Sequence, residues 1–114
     1  MTVREVAEAL GLEVLTPPSD GSLDRQVRGG YASDLLSCAM AGAKRDEAWV
    51  TLQSHRNVVA VASLTEVACV ILTEGARPDE ETIALAQREG VTLLSTSTDT
   101  FNTVAGLVRL GVPG

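Results

Sequence analysis

The chain has 114 residues, a formal net charge of −6 and 45% hydrophobic residues, with one Trp, one Tyr and one Phe. That length suits a single domain, 1–114, which buries about two-thirds of its unfolded surface in one core of Val, Leu, Ile and Ala. An acidic chain with a pI near 4.6 lacks the clustered Lys and Arg of a sequence-independent nucleic-acid binder, no apolar run approaches the ~18 residues of a membrane span, and MTVREVAEALG lacks the apolar stretch of a secretory signal.

Thr2 and Glu5 have capping-box spacing ahead of Val6, Ala9 and Leu10, and Gly11 follows as a stop, so the chain opens on a short helix. Leu12 to Leu15 reads as a strand, and TPPSDGS, Thr16 to Ser22, is loop. Val27 to Tyr31 reads as a second strand, in which Gly29 and Gly30 signal a bulge or a close backbone approach. Ser33 or Asp34 is placed to cap a helix through Leu35, Leu36, Ala39 and Met40. Trp49 to Leu52 is a strand, Asn57 to about Glu66 a helix, and Val67 to Thr73 an apolar strand. Pro78 at a first helical turn, followed by Asp79, Glu80 and Glu81, predicts a helix that Gly90 ends. Val91 to Ser95 is the last strand, and Thr98 to Leu110 the last helix, stopped by Gly111 and Pro113. Strands alternating with helices predict a layered α/β fold on a four- to five-stranded, mostly parallel sheet.

In such a sheet the strands end along one edge, where ligands bind. The polar residues gather there: Tyr31, Ser33 and Asp34 after the second strand, Gln53, His55, Arg56 and Asn57 after the third, Thr73 and Glu74 after the fourth, and Thr96, Ser97, Thr98 and Asp99 after the fifth. Ser33, Asn57, Thr98 and Asp99 are also residue types that cap helices. His55 and Arg56 are not preferred caps, and their place at the junction points to a ligand. No GxSxG nucleophile elbow accompanies Ser33, His55 and Asp34 or Asp99. One His and two isolated Cys fall short of a zinc set, and no GxxxxGK[ST] phosphate loop occurs. No cofactor is expected. Cys38 and Cys69 form neither a CxxC pair nor a dense framework, which predicts two small buried thiols in a reducing cytoplasm. Val58, Val59, Ala60, Val61 and Ala62 are apolar on every side of a helix, which predicts a face buried against a second copy.

GYASDLL, TLQSHRNVVAVA, VILTEGARPDEETI and LLSTSTDTFNTVAGL together resemble a DRTGG domain, a module named for an Asp-Arg pair ahead of one helix and a Thr-Gly-Gly after the next strand. Arg56, Thr73 and Gly75 match that pattern, while His55 and Glu74 depart from it. The resemblance implies a three-layer α/β fold similar to the N-terminal domain of HPr kinase/phosphorylase, and a regulatory or interaction role, often through dimerisation. Similar modules stand beside CBS modules in pyrophosphatases, and stand-alone members resemble proteins encoded beside iron-only hydrogenase and ATPase-type kinase genes in anaerobic bacteria. The expected function is thus a non-catalytic cytoplasmic module. It would bind a small anionic ligand, a nucleotide or phosphorylated metabolite, or a regulatory partner protein at the strand ends. The alternative is a purely structural dimerisation domain.

Overall fold

The computed structural model describes residues 1–18 and 21–114, so positions 19 and 20 of the expected loop lie outside the described residues. The first helix, α1 (Val3–Leu10), forms as its capping box requires, with the Thr2 side chain accepting from the Glu5 N–H and the Glu5 carboxylate accepting from the Thr2 N–H. The order continues β1 (Glu13–Val14), β2 (Gly29–Ala32), α2 (Leu36–Gly42), β3 (Glu47–Thr51), α3 (Asn57–Thr65), β4 (Cys69–Leu72), α4 (Glu80–Arg88), β5 (Leu93–Ser95) and α5 (Thr100–Arg109). The five strands form one sheet in the order β1-β5-β4-β3-β2. All neighbours are parallel except β1, which runs antiparallel to β5 with Glu13 opposite Ser95.

Strand side chains alternate between two cores. Ala48, Val50, Cys69, Ile71 and Leu94 pack with Val3, Val6 and Ala7 of α1 and Leu107 of α5. Trp49, Val70, Leu72 and Leu93 pack with Ala39 of α2, Val58, Val59 and Val61 of α3, and Ala86 of α4. These central strands are hydrophobic on both faces because both faces are covered. Trp49 is fully buried; at ~25 cal/mol per Å2, the roughly 200 Å2 of such a ring contributes about 5 kcal/mol as an upper estimate.

Several expectations change on folding. The Val58–Ala62 run is covered within the chain: α3 is the middle helix of its layer, Val58, Val59, Val61 and Ala62 are buried, and Ala60 alone points outward. It therefore gives no reason for a second copy. Cys69 is buried, but Cys38 is exposed on α2. Asp79, not Pro78, begins the α4 capping, its carboxylate accepting from the Thr82 N–H at 2.8 Å. Helix α2 begins later than Ser33 or Asp34 would set it, and Leu35 holds its cap position without a side-chain bond.

The glycines of β2 mark a close approach. The C-terminal tail lies along this edge strand, where the Gly30 N–H donates to the Pro113 carbonyl at 3.0 Å, and a Cβ on Gly29 would lie 3.1 Å from the Glu47 carboxylate. At the same end of the sheet, Arg25 binds Asp46 and the carbonyls of Glu66 and Val67, closing the turn after α3.

Candidate functional site

The connections through α2, α3 and α4 all pass over one face, and the chain then crosses to the other face to make α5. Adjacent strands β4 and β5 are thus followed by loops that leave in opposite directions, the point at which open α/β sheets form a crevice. Here two backbone bonds tie the loops together, Glu74 N–H to the Thr98 carbonyl at 2.9 Å and Gly75 N–H to the Thr96 carbonyl at 3.0 Å. The hydroxyls of Thr73 and Thr100 lie 2.7 Å apart, and Thr100 also donates to the Glu74 carboxylate at 3.3 Å. Glu74 and Gly75 both take left-handed backbone, with φ of 60° and 74°. Gly75 does so freely, whereas Glu74 pays about 1–2 kcal/mol. Asp99 caps α5, accepting from the Asn102 N–H at 2.7 Å, and the bonds from Asn102 hold its carboxyl below the usual range.

The loop after β3 turns toward α4. His55 Nδ1 accepts from the Asn57 N–H at 3.1 Å. The imidazole therefore does the capping for which Asn57 looked suited, and its own hydrogen must sit on Nε2. Arg56 is exposed at the cap position of α3. Ser54, His55 and Arg56 face Asp79, Glu81 and Thr82 across a cleft of about 100 Å3. The bonds from Thr82 depress the Asp79 carboxyl most, with smaller effects from the charges of Arg56 and His55. Gln53 is half-buried against this loop, its N–H bonded to the Thr51 hydroxyl at 3.1 Å.

The residues after β2 bond within the fold. Asp34 Oδ1 accepts from the Thr51 hydroxyl at 3.0 Å and the Leu52 N–H at 2.8 Å, strapping the end of β2 to the end of β3. The Ser33 carbonyl accepts from the Trp49 indole at 3.0 Å, and its hydroxyl accepts from the Leu35 N–H at 3.2 Å. Tyr31 leans over α2, donating to the Cys38 carbonyl at 3.0 Å above Gly42, whose Cβ would meet the tyrosine oxygen at 2.6 Å.

The predicted residues thus fall into three groups along one edge. Gln53, His55 and Arg56 gather against the start of α4 while Asn57 opens α3, Thr73, Thr98 and Asp99 lie at the β4/β5 crevice, and Ser33 and Asp34 brace β3 with Tyr31 turned away. Thr51, Asp79, Thr100 and Arg77 lie on the edge as well, and the sequence reading did not place them there. Arg77 was legible as the one cation in the loop between Thr73 and Glu80. Among the described residues, no group of three or more His, Cys, Asp or Glu is placed to hold a metal ion, and no helix is long and apolar enough to cross a membrane.

Residues 31–110 match the DRTGG domain family. No curated protein matches the chain. Among solved structures, it is similar to the CBS and DRTGG domains of the regulatory region of Clostridium perfringens pyrophosphatase, complexed with its activator diadenosine tetraphosphate, with a TM-score of 0.76 and 17% identity. The match covers 98% of this chain and 47% of that one, so this chain spans about half the length of that regulatory region.

Proposed function

We infer function from one premise: the chain belongs to the DRTGG domain family. On that premise the protein is a non-catalytic, cytoplasmic regulatory module that takes a small anionic ligand or a partner protein at the carboxyl ends of its strands. The observation that carries this reading is the placing of two exposed arginines, Arg56 and Arg77, on successive loops of that edge in a chain of net charge −6. Commitment of His55 Nδ1 to the α3 backbone, where it accepts from the Asn57 N–H, supports regulation over catalysis.

Helix ends contribute only about 0.3–1 kcal/mol each, whereas a micromolar complex needs about 8 kcal/mol. Charge-assisted bonds from Arg56 must supply part of the difference. Asp79 and Glu81 oppose a bare anion, so the edge suits a ligand carrying both a phosphate and hydrogen-bond donors. A nucleotide has both, and the activator in the pyrophosphatase structure is a nucleotide. A thermal-shift screen of nucleotides and phosphorylated metabolites tests the reading. A nucleotide hit is expected, and Arg56→Ala should weaken it at least about tenfold with little change in stability. Unchanged affinity in that variant would remove Arg56 from the site.

One observation favours the second reading, a dimerisation domain. Phe101 and Val108, two turns apart on α5, are 81% and 63% exposed, beside an apolar groove lined by Tyr31, Val104, Leu107, Val112 and Pro113. Light scattering at tens of micromolar, repeated with Val108→Asp, distinguishes this: a dimer that the substitution dissociates supports it, and a monomer in both rejects it.

A further inference from the structure

A second recess lies at the same edge, on the far side of the β4/β5 crevice from His55. It encloses about 390 Å3 and is lined by Gly11 and Glu13 from the turn into β1, by Gly75, Ala76 and Arg77 from the loop after β4, and by Ser95, Thr96 and Ser97 from the end of β5. The antiparallel course of β1 brings it there, because pairing Glu13 with Ser95 sets the start of β1 beside the end of β5. Arg77 reaches across the recess to Glu13 in a two-pronged pair, with nitrogen-to-oxygen distances of 3.3 and 3.2 Å.

We propose that this cleft binds a phosphomonoester, with Arg77 exchanging the Glu13 carboxylate for the phosphate oxygens. The inference rests on the anionic-ligand reading above and gives it a second site that Arg56 does not reach. The guanidinium fork that holds Glu13 presents the same two parallel donors to a phosphate, which carries more charge. A carboxylate ligand would use only that fork, but the cleft offers more. The Thr96 hydroxyl accepts from the Thr98 N–H at 3.1 Å, so its own hydrogen is directed elsewhere. Ser97 is exposed at the rim, and a third terminal oxygen matches these hydroxyls. The volume falls near the low end of small-molecule sites, roughly 300–1,000 Å3. No aromatic residue lines the cleft, so recognition is of the phosphate and a short polar body with no stacked base. Glu13 is the competitor built into the site. Both pair members keep about three-fifths of their side chains in water, so exchanging Glu13 for a ligand exposes no deeply buried charge.

The test is isothermal titration of the whole chain with inorganic phosphate and with glycerol 3-phosphate, using Glu13→Gln, Arg77→Gln, Arg77→Lys and Arg56→Ala, each checked for folding by circular dichroism. Removing the competitor should tighten binding at least about threefold, Arg77→Gln should weaken it at least about tenfold, Arg77→Lys should fall between, and Arg56→Ala should stay within about twofold. Equal affinity in Arg77→Gln, or no gain in Glu13→Gln, overturns the proposal. So does the absence of heat from either probe at about 20 mM, a concentration well above a millimolar dissociation constant. Binding lost in Arg56→Ala but kept in Arg77→Gln overturns the cleft while leaving the ligand-binding edge intact.

Discussion

Asp34 separates a strap from a ligand contact. Its carboxylate accepts from Thr51 and Leu52, and Thr51 is fully buried. In Asp34→Ala the Thr51 hydroxyl loses its acceptor inside the core, a loss of about 1–3 kcal/mol, whereas the Leu52 N–H belongs to an exposed residue and recovers water at little cost. The sum is about 2 kcal/mol. At about 2.1 cal/mol/K per residue, the 114 residues have an unfolding entropy near 0.24 kcal/mol/K, so Tm should fall by about 8 °C. Asp34→Asn keeps an acceptor oxygen and should lose roughly half as much. In a Thr51→Val background the same Asp34→Ala change should cost at least about 0.5 kcal/mol less, because the partners are in direct contact. Thermal melts followed by circular dichroism, and by the emission of the single tryptophan, which bonds Ser33 beside the strap, measure all of this. A Tm within about 2 °C of wild type in Asp34→Ala would refute the reasoning and return Asp34 to the ligand-binding set.

Three further outcomes follow from the packing and the titrating groups. Gly42→Ala drives a Cβ into the Tyr31 ring and oxygen at 2.6–2.8 Å, whereas at Gly106 the nearest atom, 2.8 Å away, is the end of the Leu10 side chain. The first should cost about 1–3 kcal/mol and the second about zero, since a terminal methyl can rotate while a hydrogen-bonded ring cannot; urea titration ranks them, and equal values would contradict this. Cys38 is exposed, while burial pushes the Cys69 thiol up to about 12, so iodoacetamide at neutral pH should label one thiol by mass spectrometry and two only after unfolding. The carboxyls of Asp79, Asp99 and Glu5 are depressed by their capping bonds. Their stabilisation is present above the unfolded values, about 3.9 for Asp and 4.3 for Glu, and is lost as pH falls through the folded ones. Urea midpoints should therefore decline below about pH 4, less steeply in Asp99→Asn; an unaltered slope would refute the assignment.

The fold was legible because hydrophobic period and punctuation agree along most of the chain. Thr2 and Glu5 announced α1, and the all-apolar CVIL of β4 announced a strand buried on both faces. What misled was local chemistry whose partner is distant in sequence. Ser33, Asp34 and Asn57 are good capping types, but Asp34 is taken by Thr51 and Leu52, and the α3 backbone is served by His55. The run from Val58 to Ala62 looked like an uncovered face because a sequence does not show that α2 and α4 flank it. Arg77 was overlooked because its meaning depends on Glu13, 64 residues away. The gathering of polar residues along the carboxyl edge was legible, while its division into a brace, a β4/β5 crevice and an α3/α4 cleft depends on side-chain direction.

The central claim is that ligands meet this chain at the carboxyl edge of its sheet. Backbone amide chemical shifts, recorded as the strongest hit of the screen is titrated in, test it most directly. The account predicts perturbations concentrated in residues 53–57, 73–77 and 96–99, with the opposite edge around Arg25, Arg45 and Glu66 unmoved. Shifts centred on that opposite edge, or on the groove between β2 and α5, would contradict it.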